Sequence, residues 1–165
     1  MAFIQLNYPS GALQQNTDVS IILPDPPGSA HVSPGRAYQT LYLLHGTYGD
    51  HSDWWRKTAL ERYAQEACLA VVMPSCGNAF YQDMVHGPKY KTFLLEELPA
   101  YLRSILPLSP RREDNFIAGL SMGGYGAMHL ALSKPGQYAA AASLSGVMSF
   151  SRLARQPQAD QPWPI

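Results

Sequence analysis

At 165 residues the chain has the size of a single domain with a sizeable core. Its 12 basic and 12 acidic side chains cancel, and charged residues make up only 15% of the whole, which argues against nucleic acid or an anionic membrane as partner. The apolar stretches are too short or too interrupted to span a bilayer, and Met1 to Asn7 lacks the basic start and long apolar run of a signal peptide.

In chain order, residues 3–7 alternate as a first strand should, and 18–24 reads as its hairpin partner. Residues 24–36 are rich in Pro, Gly and Ser without periodicity and read as a loop, with His31 a solvated residue within it. Residues 38–44 form a near-continuous apolar run, the pattern of a parallel strand covered on both faces. His45-Gly46-Thr47 follows it. A glycine there lets backbone approach closely, and the N–H of Thr47 is a candidate oxyanion donor. His45 reads as a histidine buried under that loop. His51 and Asp53 are too few for a metal site. Trp54 and Trp55 stand just before an expected helix, one ring beneath the loop.

Thr58 to Glu61 has the form of a capping box, with Leu60, Tyr63, Ala64 and Ala67 on one helical stripe. Residues 69–74 read as a buried strand. Cys68 and Cys76 flank it, too far apart for a disulfide, and are expected to be free thiols in a reducing cytoplasm. Residues 75–90 form a long loop whose aromatics either wall a pocket or pin the loop to the domain. Residues 92–105 predict a helix with Leu94, Leu98, Tyr101, Leu102 and Ile105 inward and Glu96, Glu97 and Arg103 toward solvent.

Residues 115–126 join an apolar run to Gly-Leu-Ser-Met-Gly and then to a helix-like segment ending at Lys134-Pro135-Gly136. This is the strand–turn–helix setting of a nucleophile elbow. Ser121 is the candidate nucleophile. The N–H of Met122, at a helix N-terminus, is the second candidate oxyanion donor. Residues 138–146 read as a further central strand whose small side chains suit packing beneath the elbow helix. A helix beginning at Phe150 and a polar, Pro-rich tail over 156–165 complete the reading.

His45-Gly46, Trp54, Val72-Met73-Pro74, Tyr81-x-Asp83, Glu96-Glu97-Leu98-Pro99, the segment 118–126 and Ser143-Leu144-Ser145-Gly146 occur together and in order. The chain resembles the esterase D-type α/β-hydrolases, most closely the tributyrin esterase subgroup. The resemblance implies an α/β fold with a mostly parallel central sheet flanked by helices. It also implies a serine carboxylesterase for small short-acyl esters, including acetylated carbohydrates, that needs no cofactor. By position, Ser121 is its nucleophile, Thr47 and Met122 its oxyanion donors, and Tyr81 and Asp83 border its substrate pocket. S-formylglutathione hydrolase or feruloyl esterase would alter only the substrate.

One departure is large. The acid and the base of such a triad follow the nucleophile in sequence, yet no histidine follows His129, and Asp160 is the only acid after Ser121. The expectation is therefore an incomplete hydrolase domain over 1–155, truncated before its last strands and impaired in catalysis. The strand at 138–145 is expected as a bare sheet edge. Such an edge suits a different reading, a non-catalytic module that self-associates or binds a complementing chain.

Overall fold

The computed structural model describes residues 1–25 and 37–149. The expectations for His31, for a helix at Phe150 and for the tail lie outside the described residues. Six strands form one mixed sheet: β1 (Ala2–Ser10), β2 (Gln15–Leu23), β3 (Thr40–Leu44), β4 (Ala70–Pro74), β5 (Asn115–Leu120) and β6 (Ala140–Leu144), in spatial order β1-β2-β4-β3-β5-β6. β1 and β2 are the expected hairpin, and β2 pairs antiparallel with β4. β4, β3, β5 and β6 are mutually parallel.

Helices cover both faces because the central strands are apolar on both. Ile22, Leu43, Val71 and Met73 face α1 (Asp53–Lys57) and α2 (Leu60–Glu66), meeting Trp54, Trp55, Leu60 and Ala64. Ile21, Tyr42, Leu44, Val72 and Ile117 face the other way. There they meet Leu94, Leu98 and Leu102 of the helix over 90–105 and Met122, Ala127 and Leu130 of α5 (Met122–Ser133).

Several local expectations are corrected. Trp54 and Trp55 precede the expected helix, α2, but are themselves helical, forming the short α1. The capping box does not form: Thr58 Oγ1 donates to the Trp54 carbonyl (2.5 Å) and accepts from the Leu60 N–H (3.2 Å), while Ala59 is the N-cap. The stripe of α2 buries Ala64 but leaves Tyr63 exposed, and Ala67 is the exposed C-cap past the helix end at Glu66.

The helix expected over 92–105 is α3 (Tyr90–Thr92), a π-helical turn (Phe93–Glu97) and α4 (Leu98–Ile105). Pro99 cannot donate to the Leu95 carbonyl four residues back, and Lys134 Nζ at the end of α5 donates to it instead, at 3.3 Å. The wider turn carries Glu97 inward. Its Oε2 accepts the Ala12 N–H of the β1–β2 hairpin at 2.7 Å. Arg103 also turns inward, donating to Asn115 Oδ1 at 3.2 Å, and Ile105 is exposed in its place.

Candidate active site

The loops after β3, β4 and β5 all leave the carboxyl ends of parallel strands, where open α/β sheets place ligands. Ser121 sits between β5 and α5 with φ +55° and ψ −114°, a conformation that side-chain-bearing residues rarely adopt. Its N–H donates to Leu144 O of β6 at 2.8 Å, and its carbonyl accepts the Tyr125 N–H at 3.1 Å. The bend is thus held from both sides.

Two glycines make the bend possible. A Cβ at Gly119 would strike the backbone of Gly123, and one at Gly123 would strike the carbonyl oxygens of Leu44 and His45. Consequently the first turn of α5 rests directly on the peptide that leaves β3.

That contact brings the loop after β3 to the serine. A Cβ at Gly46 would lie 3.4 Å from the Leu120 carbonyl oxygen and 3.7 Å from Ser121 Cβ. The Thr47 N–H next to it has no bonded acceptor among the described residues. Met122 is the first residue of α5, so its N–H has no partner within the helix. The structure therefore gathers Ser121, Thr47 and Met122.

His45 organises the loop from below. It is buried, and its Nε2 accepts the Cys76 N–H at 3.0 Å, which assigns the proton to Nδ1. Nδ1–H donates to the Gly46 carbonyl at 2.7 Å, and the Gly49 N–H reaches the same oxygen at 3.2 Å. A trans peptide is planar, so fixing the Gly46 carbonyl fixes the direction of the Thr47 N–H on its opposite side. Burial holds the His45 imidazole below its ordinary value, with its bond to Gly46 O acting the other way. Trp54 Nε1 donates to Leu44 O at 3.1 Å, anchoring the end of β3 as the ring beneath the loop.

The remaining two site residues are placed differently. Tyr81 is wholly buried, and its hydroxyl donates to the His45 carbonyl at 2.6 Å. Asp83 accepts from the Thr92 N–H (3.0 Å) and hydroxyl (2.8 Å), tying the loop to the helix that follows. Of the two readings of this loop, these contacts are those of pinning.

No hydrogen bond reaches Ser121 Oγ among the described residues. His45 is engaged as above, and His51 Nδ1 bonds Ser20 Oγ at 2.7 Å. His129 stacks on Tyr125, centroids 5.5 Å apart, with Nε2 buried and without a partner among the described residues. Cys68 and Cys76 are free thiols. Among the described residues, no group of three His, Cys, Asp or Glu side chains could hold a metal, and no helix is long and apolar enough to cross a membrane.

Sequence reasoning located the elbow, the loop, and His45 and a tryptophan ring beneath it, but missed what holds His45. The Cys76 N–H and the Tyr81 hydroxyl both act on His45 from more than thirty residues away. Their only signal in the sequence is a cysteine and a tyrosine on the loop after β4.

The sequence matches the Esterase family over residues 10–164. It is 34% identical to an acetyl esterase of Caldicellulosiruptor saccharolyticus, over 96% of this chain and 61% of that protein. The fold superposes on the substrate-bound serine hydrolase FphF of Staphylococcus aureus with a TM-score of 0.85 and 38% identity, over 96% of this chain and 62% of that one. For the S-formylglutathione hydrolase FrmB of the same organism the TM-score is 0.81 and the identity 39%, over 92% and 60%. The chain thus spans about three fifths of the length of these relatives. It belongs to the Esterase family, with the α/β-hydrolase fold of the esterase D-type enzymes.

Proposed function

We propose that the chain carries the nucleophile half of a serine carboxylesterase site for short acyl esters, acetyl or butyryl, with acetylated carbohydrates among the substrates. Ser121 Oγ adds to the ester carbonyl, the N–H groups of Thr47 and Met122 receive the oxyanion, and the alcohol leaves to give an acyl-enzyme on Ser121. The loop bearing Asp83, with Tyr81 buried beneath it, is proposed as a wall of the acyl or alcohol pocket. The reaction is proposed to need no cofactor, and free thiols suit a cytoplasmic setting. The observation that carries this reading is the positive-φ Ser121, with Gly46 so close that a Cβ there would lie 3.7 Å from Ser121 Cβ.

Turnover by these 165 residues is proposed to be slow. A serine hydroxyl needs a neighbouring base, and no imidazole is bonded to Ser121 among the described residues. Removing triad members costs about 10⁴ to 10⁶ in rate and leaves the contribution of the oxyanion hole. Hydrolysis of p-nitrophenyl acetate and butyrate by the chain and by Ser121→Ala tests the proposal. A slow release that disappears in the variant supports it, and equal rates in the two proteins contradict it.

A second reading rests on β6, the outermost strand of the sheet. Ala140, Ala142 and Leu144 are exposed there, and among the described residues no strand neighbours its outer backbone groups. A module that pairs through this edge with itself or with a complementing chain would use that surface.

A further inference from the structure

We infer that Tyr81 is a positioning residue for catalysis, a strut that sets the oxyanion loop against the nucleophile helix. The inference rests on the Ser121 reading above and deepens it. Tyr81 touches both halves of the site from beneath. Its hydroxyl donates to the His45 carbonyl at 2.6 Å, one peptide before the Gly46–Thr47 unit. Its ring fills the space that a side chain at position 126 of α5 would need: a Cβ there would lie 2.7 Å from Tyr81 Cγ and 2.9 Å from Cε2.

Backbone strain points the same way. Phe80 and Tyr81 are consecutive and both left-handed, with φ +49° and +59°. Two such residues in an aromatic pair disfavour this loop by themselves, so the surroundings hold them in place. The neighbours that do so are Gln82, whose Nε2 donates to Tyr125 Oη at 2.7 Å, and Asp83, bonded to Thr92. The result is a phenol delivered under the loop that carries Thr47.

The chemistry that follows is specific. The His45 carbonyl is held by Tyr81 and the next carbonyl, that of Gly46, by His45 Nδ1–H. Two consecutive peptide planes are therefore fixed, and the second one aims the Thr47 N–H. Loss of the phenol hydroxyl frees the first plane without removing any group that touches the ester. Transition-state stabilisation should fall while ground-state binding stays. Oxyanion stabilisation is also the main source of rate left when no base is engaged, so the effect appears undiluted in this chain.

The test compares the 165-residue chain with Tyr81→Phe, which keeps the ring, and with Ser121→Ala as background. Ser121-dependent release from p-nitrophenyl acetate should show a first-turnover rate constant lowered about tenfold, less than the 10²–10³ of losing a donor outright, with the half-saturating ester concentration within about twofold. An unchanged rate constant, or a rise in the half-saturating concentration alone, overturns the inference. Gly126→Ala displaces the same ring from the helix side and serves if Tyr81→Phe does not fold. Amide relaxation dispersion is read on the same samples. Tyr81→Phe should broaden Gly46 and Thr47 while β1 and β2 stay sharp, and unbroadened amides overturn the inference. If wild type and Ser121→Ala release product equally, the esterase reading fails and the amide result alone decides the role of Tyr81.

Discussion

Gly123 leaves no room for even a methyl group, since its Cβ would enter the carbonyl oxygens of Leu44 and His45. Those atoms belong to the backbone and cannot swing aside. Gly123→Ala should therefore either separate α5 from the end of β3 or destabilise the fold by about 1–3 kcal/mol or more, read as a lower urea midpoint at unchanged slope. His45 gives a second prediction at this scale. Its folded-state value lies below that of the unfolded chain because burial disfavours the imidazolium. Unfolding then takes up a proton between the two values, so its contribution is complete above about pH 6.5 and declines as pH falls toward the lowered value. His129 shifts in the same direction, again through burial. Urea midpoints of wild type and His45→Gln should thus converge between about pH 7.5 and 5.5, and parallel profiles would contradict the assignment. The elbow glycines were legible in the sequence because a tight turn demands them. The tautomer of His45 was not, since the Cys76 N–H that sets it comes from a loop whose path no local pattern encodes.

The elements were read well where a face is periodic and less well where tertiary contact intervenes. β1 through β6 came out in order because alternating and continuous apolar runs distinguish half-covered from doubly covered strands. Glu97 and Arg103 read as solvent-facing on an ideal helix. A π turn ahead of Pro99 rotates that face, and Glu97 instead closes on the β1–β2 hairpin. Glu97→Ala should cost about 1–2 kcal/mol, the low end for a hydrogen bond to a charged group because the site is partly exposed. Proteolysis should then cut first near Gly11, and a variant as resistant as wild type would refute that contact's importance. The edge strand carries its own prediction. Leu144 is 44% exposed on β6, so the chain should self-associate with rising concentration, and Leu144→Lys should suppress it. Light scattering that is independent of concentration in wild type would remove the pairing reading.

Across the whole molecule, the strand order places β3 and β5 side by side at the centre, and the loops that leave them meet. That adjacency assembles Thr47, Ser121 and Met122 from segments more than seventy residues apart, whereas the pinning of the β4 loop at Tyr81 and Asp83 is visible only in three dimensions. The relatives are longer by a margin that leaves this chain about three fifths of their length. Ser121 and the residues proposed as its oxyanion donors lie within that span, and no base engages the Ser121 hydroxyl among the described residues. Both steps of ester hydrolysis want that base, deacylation as much as acylation. Intact-protein and peptide mass spectrometry after incubation with p-nitrophenyl acetate tests this most directly. The account predicts one acetyl group, on Ser121, that forms slowly and persists. Many turnovers with no lasting adduct, or acetylation that is unchanged in Ser121→Ala, would contradict it.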